Sequence, residues 1–194
     1  IVRQTNDLRR IVDEFSKFAR MPEPELRATD LAILVRDAVT LQDAGQPHVA
    51  IFADLPEAGK MLDVDATMIS QALTNLIKNA GEATETYIEK MSPTGFKPQV
   101  RVEMTYDDTS AQITISDNGI GLPTDRARLF EPYVTTRDSG TGLGLPIVKK
   151  IIEEHGGTLV LTDAVDFDGA GHIGAAAVIT LPLGPVALGD KSKA

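Results

Sequence analysis

Four short segments in a fixed order constrain this chain more than any other feature. Leu73-Thr-Asn-Leu-Ile-Lys-Asn-Ala80 lies inside a run of helical periodicity. Asp117-Asn-Gly-Ile-Gly121 closes an alternating apolar run. Gly140-Thr-Gly-Leu-Gly-Leu145 opens a second helical run, and Leu129-Phe-Glu-Pro-Tyr133 lies between the last two. Each alone is a weak signal. Together they demand a helix, then a strand end, then an irregular connection, then a helix that begins on glycines.

The rest of the pattern fits around them. Residues 1–20 read as one amphipathic helix: Ile1, Leu8, Val12, Phe15 and Ala19 fall at three- and four-residue steps, with Thr5 in the open position. Pro22 and Pro24 stop it. Asp30 is a predicted cap for a helix over 31–42, and Asp65 for one over 66–90. Between these helices, 48–53 reads as a strand, 56–59 as a turn and 60–64 as a short return strand. Two further strands are expected over 99–107 and 111–117, joined by a turn at Asp107-Asp108-Thr109-Ser110. Residues 118–142 are mostly irregular, with a short helix near 125–129, and a connection of that length is usually functional or disordered. A helix over 143–155 ends at Gly156-Gly157. Strands over 158–162 and 173–181 complete the pattern. The expected fold class is α+β: one mixed, mostly antiparallel sheet with helices on one face, a two-layer sandwich. The expected organisation is a bundle-type helix at 1–21, a linker at 22–29, a domain at 30–184 and a disordered tail at 185–194.

Charge and cysteine count narrow the chemistry. A formal charge of −9 argues against a general nucleic-acid binder. It leaves room for a nucleotide, because a local pocket and a divalent cation offset net charge. With no cysteine, disulfides and thiolate metal sites are excluded. No apolar run has the length to cross a bilayer, and no signal peptide is seen at Ile1. The chain opens inside a helical pattern without an initiator Met, so it is expected to be a piece of something longer.

Asn75 and Asn79 are four residues apart, hence on one helix face. Their amide oxygens suit Mg²⁺, which takes oxygen ligands and keeps water and phosphate for the rest of its shell. An isolated asparagine pair on a helix more often bonds neighbouring backbone. The downstream motifs favour the metal reading for Asn79, with Asn75 beside it. Asp117 ends an apolar strand, where a carboxylate can face a pocket and accept from the exocyclic amine of adenine. Guanine presents a carbonyl at that position. Gly119 and Gly121 let the backbone approach a base. The plain alternative is an ordinary Asp-Asn-Gly turn. Gly140, Thr141, Gly142, Leu143 and Gly144 lead into a helix whose first N–H groups and dipole favour phosphate. No Lys-Ser/Thr pair follows, so this is not a Walker A loop, and the glycine spacing is not the dinucleotide fingerprint. Phe130 and Tyr133 are candidates to anchor a loop over the nucleotide. Arg137 and Lys78 are candidate phosphate contacts, against the plain alternative of solvated side chains. His48, His155 and His172 lack metal-ligand spacing and read as structural or surface residues.

The four segments resemble the N, G1, F and G2 boxes of the histidine-kinase ATP-binding domain, within the gyrase/Hsp90/histidine kinase/MutL superfamily and its Bergerat fold. The resemblance covers about residues 30–183 and includes Ile152-Glu-Glu-His-Gly-Gly157. Leu76-Ile-Lys-Asn-Ala-Gly-Glu-Ala83 and Thr135-Thr136-Arg137 are similar in style to nitrogen-regulation sensor kinases of the NtrB/NtrY type. It implies ATP and Mg²⁺ as ligands, Asn79 and Arg137 in catalysis, and phosphoryl transfer to a histidine, then to the aspartate of a response regulator. It further implies a homodimer through a helical bundle, of which residues 1–20 would be the second helix. The domain would be cytoplasmic, in a parent protein anchored in the inner membrane. The chain departs from the pattern in one respect: none of its three histidines sits in a phosphoacceptor motif. It is therefore expected to bind ATP without phosphorylating itself. Three alternatives stand beside this reading. One is a non-catalytic regulatory or dimerisation module of the same fold. Another is a gyrase- or Hsp90-type ATPase, disfavoured by Asn75 where those carry a catalytic Glu. The last is an anti-sigma-type serine kinase.

Overall fold

The computed structural model describes residues 21–134, 141–166 and 172–184. The helix expected over 1–20 and the tail from 185 lie outside the described residues. Three helices are present among the described residues: α1 (Leu31–Gly45), α2 (Ala66–Met91) and α3 (Gly144–Glu154). Asp30 caps α1 by accepting from Ala32 N and Ile33 N. Asp65 caps α2 by accepting from Thr67 N and Met68 N, as the sequence predicts. A 3₁₀ turn, Ala127–Phe130, falls in the described part of the long connection.

The main sheet has five strands: β2 (Ala50–Asp54), β4 (Gln99–Tyr106), β5 (Ser110–Asp117), β7 (Ala175–Pro182) and β6 (Thr158–Asp163), side by side in that order. All neighbours are antiparallel except β2 and β4. Cross-strand register sorts the side chains into two faces. Met104, Ile113, Ile179 and Leu159 form one continuous row, and Val102, Ile115, Ala177 and Leu161 the next. These rows meet the helix layer. Glu103, Thr114, Val178 and Val160 form the intervening row on the opposite face, where Val160 is half exposed. The alternation is that of an antiparallel sheet with one buried face. The helices close the core with Leu31 and Val35 of α1, Ile69, Leu73 and Ile77 of α2, and Ile151 and Ile152 of α3, all essentially inaccessible. The mixed sheet with a one-sided helix layer is the architecture expected from the sequence.

One pairing differs. The run after the 56–59 turn does not return alongside β2. It forms β3 (Met61–Val64), which pairs antiparallel with β1 (Arg27–Asp30) in a separate two-stranded ribbon. β1 lies where the sequence reads as linker. The physical reason is that the connection from Asp54 to Met61 is too long, and carries Pro56, to set a hairpin register. β2 instead joins β4 in parallel, and the α2 crossover supplies the connection that a parallel pair needs.

Candidate nucleotide site

Asp117 owes its position to the register of β5. Ala111, Ile113, Ile115 and Asp117 alternate onto the helix-facing side, and Asp117 pairs with Val100. It is a carboxylate at the end of an otherwise apolar row, 5% exposed. Its Oδ1 accepts from Gly119 N at 2.8 Å and from Ala175 N at 3.3 Å. The neighbouring Asn118 has a different task. Its Oδ1 accepts from Gln99 N and its Nδ2 donates to Lys97 O, extending the β4–β5 pairing past the last strand residue.

α2 supplies a second wall. Its buried stripe runs through Met68, Ala72, Leu76 and Ala80. Beside that stripe Gln71, Asn75, Lys78, Asn79, Glu82 and Thr86 line a cavity of about 480 Å³, with Asp117 and Ile115 contributed by the sheet. The irregular connection adds Ile120, Gly121, Leu122 and Leu129. The start of α3 adds Thr141, Gly142, Gly144 and Leu145. A cavity of this size, mostly apolar with a few convergent polar groups, is of the kind that holds a small ligand.

α3 begins without a side-chain cap among the described residues. Its first turn abuts Asn79: a Cβ on Gly144 would lie 3.8 Å from the Asn79 amide nitrogen. Gly142 needs its missing side chain, since it sits at φ +68° and a Cβ would come within 2.6 Å of the Tyr133 carbonyl carbon. Gly142 O accepts from Tyr133 N at 3.1 Å, so the described ends of the connection between them are joined. Tyr133 is itself at φ +67°, an uncommon conformation for an aromatic residue.

The expected site residues thus divide. Asn75, Lys78, Asn79, Asp117, Gly121, Thr141, Gly142 and Gly144 are brought together around the cavity. Gly119, Phe130, Tyr133 and Leu143 do not line it. Gly119 packs against the Ala83 carbonyl of α2, where any Cβ would overlap backbone. Phe130 lies against the core beneath Lys149, whose Nζ is 5.0 Å from the ring centroid. Tyr133 is 52% exposed, and Leu143 is fully buried at the foot of α3. Arg137 and Gly140 lie outside the described residues. Lys78 is on the rim, 3.7 Å from Glu82, an exposed pair of small energetic weight. Gln71, Glu82 and Thr86 were not singled out from the sequence. Gln71 lies four residues before Asn75, Glu82 three after Asn79 and Thr86 seven after it, and those helical steps were the available signal.

No group of three or more His, Cys, Asp or Glu side chains gathers among the described residues in a way that could hold a metal. The donors that face the cavity near the start of α3 are the amides of Asn75 and Asn79. That set fits a cation bound chiefly through phosphate and water oxygens.

A family model, that of the histidine kinase-, DNA gyrase B-, and HSP90-like ATPases, matches residues 64–185. The nitrogen regulation protein NtrY of Azorhizobium caulinodans is 46% identical over 171 residues, which is 88% of this chain and 22% of that protein. The chain spans about a quarter of the length of the curated relatives it matches. A crystal structure of full-length ShkA in complex with AMPPNP superposes with a TM-score of 0.71 at 25% identity, over 93% of this chain and 37% of that one. The mycobacterial sensor histidine kinase MprB shares the fold, with a TM-score of 0.67 at 24% identity over 82% of this chain and 99% of that one.

Proposed function

The chain belongs to the histidine kinase-, DNA gyrase B-, and HSP90-like ATPase family, and on that premise we propose that it is the ATP-binding catalytic domain of a sensor histidine kinase of the NtrY type. One observation carries the proposal. The buried Asp117 carboxylate faces a cavity whose other walls bring Asn79 and the glycine start of α3 together. Asp117 accepts from the exocyclic amine of adenine and disfavours guanine, whose carbonyl meets it lone pair to lone pair. Thr141 and the first N–H groups of α3 receive phosphate oxygens. Lys78 reaches the phosphates from the rim, and Arg137 is proposed to approach the γ-phosphate. The amide oxygens of Asn79 and Asn75 would hold Mg²⁺, which when bound neutralises phosphate charge. Catalysis in such a site is positioning and electrostatics: the bond from the γ-phosphorus to ADP breaks as one to an imidazole nitrogen forms in line.

That imidazole comes from outside the described residues. His155 is buried, with Nδ1 donating to Ile151 O and Nε2 accepting from Asp65 N. His172 is engaged with Gly119 O. The proposed parent protein is a homodimer joined through a helical bundle and anchored in the inner membrane, and it passes the phosphoryl group to the aspartate of a response-regulator receiver domain. None of the described helices is long and apolar enough to cross a membrane.

Calorimetry with ATP, with and without Mg²⁺, on this chain and on Asp117→Asn tests the reading. The expected result is binding by the parent and a loss of about ten- to a hundredfold in the variant, the range for a hydrogen bond to a charged group. Equal affinity in both would remove adenine from Asp117.

A further inference from the structure

The segment leading into β7 wraps around the turn that follows Asp117. Ala175 N donates to the Asp117 carboxylate. Gly174 packs so closely on the Asp117 carbonyl that no side chain fits there. Two residues earlier, the His172 ring stacks on Tyr87 of α2, with centroids 4.1 Å apart and planes at 11°, and Tyr87 is backed edge-on by Phe96. His172 Nε2 lies 2.5 Å from Gly119 O. A carbonyl oxygen only accepts, so Nε2 carries the proton and donates.

The contact falls on an informative peptide. The unit joining Gly119 to Ile120 has its C=O held by His172 and its N–H held by Ala83 O of α2 at 3.1 Å. The N–H one unit earlier, on Gly119, donates to Asp117 Oδ1. Gly119 has no side chain to limit its torsions. His172 removes that freedom from one side and α2 from the other.

We infer that His172 is a positioning residue for base recognition: through Gly119 it fixes the orientation of the Asp117 carboxylate, and so sets how strongly the site prefers a purine with a 6-amino group. The inference rests on the reading of the cavity as an adenine-nucleotide site. His172 is not among the residues that line the cavity.

The test compares ATP with purine riboside triphosphate, which lacks the 6-amino group, on this chain, His172→Phe and His172→Gln. Phenylalanine keeps a ring on Tyr87 and loses the donor; glutamine keeps an N–H. His172→Phe is expected to bind ATP about three- to tenfold more weakly. Its affinity for purine riboside triphosphate should change less than about twofold, so the preference for ATP shrinks by nearly the whole factor. His172→Gln is expected to restore ATP affinity to within about twofold of the parent. A merely structural role would weaken both nucleotides alike, and that result overturns the inference. So does an unchanged ATP preference in His172→Phe, or a glutamine variant no better than phenylalanine. Should His172→Phe fail to fold, Tyr87→Leu decides: loss of the stack must lower the ATP preference in the same direction, and an unchanged preference overturns the role. A parent that binds neither nucleotide overturns the nucleotide reading and this inference together. A parent that binds ATP alongside an equally selective His172→Phe overturns only the inference.

Discussion

Single residues act here through what surrounds them more than through their type. Gly119 and Gly81 show the difference. A Cβ on Gly119 would overlap the Ala83 carbonyl and the Thr84 nitrogen, which are helix backbone and cannot move aside. A Cβ on Gly81 would meet only the end of the Gln46 side chain, which can swing away. Gly119→Ala is therefore expected to break the bond from Ile120 N to Ala83 O, to cost about 1–3 kcal/mol in urea unfolding and to weaken ATP by at least about tenfold in calorimetry. Gly81→Ala is expected to stay within about 1 kcal/mol of the parent, because better helix propensity offsets the displaced glutamine. An equal effect of the two would show that close backbone approach is not what Gly119 provides. The placing of Asp117 and Asn79 on one cavity was legible in the sequence, because a carboxylate ending an apolar strand and an amide on a helix face mark where polar groups can meet a pocket. The reason for Gly119 was not, since Ala83 lies far away along the chain. Nor was the bond between His172 and Gly119, because a lone histidine in a loop shows nothing of its partner.

Among the elements, α2 depends on the residue that caps it, Asp65. Asp65 Oδ1 caps the helix, its Oδ2 accepts from Glu25 N at 3.0 Å, and its own N–H donates to His155 at the end of α3. Burial pushes the Asp65 carboxyl upward, but the backbone N–H groups of Met68, Glu25 and Thr67 outweigh burial and hold it below its ordinary value of 3.8. The sign follows from linkage. A depressed folded-state pKa gives stability that is fully present above the unfolded value, near 4, and is lost as pH falls through the folded one. Asp65→Asn is expected to be about 1–2 kcal/mol less stable at pH 7, through the lost charge and the lost acceptor for Glu25. Urea melts from pH 7 to 3 should show that gap constant down to about pH 4 and closing below it. A gap independent of pH would mean that the charge contributes nothing. The caps of α1 and α2 were legible because aspartate before an apolar periodic run has a local cause. The partners of β1, β2 and β3 were not. A four- or five-residue strand carries no record of its neighbour, and only the distant positions of β4 and β1 decide the pairing.

At the scale of the whole molecule, the helix layer covers one face of the sheet and the site lies between α2, the start of α3 and the sheet. This layered form was legible because alternating strands and periodic helices each have one apolar side to bury. Incubated with γ-labelled ATP, the chain alone is expected to gain no covalent label. A separately supplied helical hairpin bearing a phosphoacceptor histidine should become labelled, with autoradiography as the readout. Label on this chain by itself would overturn the assignment of its histidines. The strand order has a consequence in time. β7 is the last of the described strands to be made, yet it lies between β5 and β6 and supplies the Ala175 N–H to Asp117. On the ribosome, β5 waits with an open edge while more than fifty further residues are synthesised. Before then the cavity lacks the wall that Ala175, Ala176 and Ala177 supply, so nucleotide meets the complete site only after β7 is in place. A product cut short before β7 has β5 and β6 unjoined and lacks the Ala175 N–H that the Asp117 carboxylate accepts.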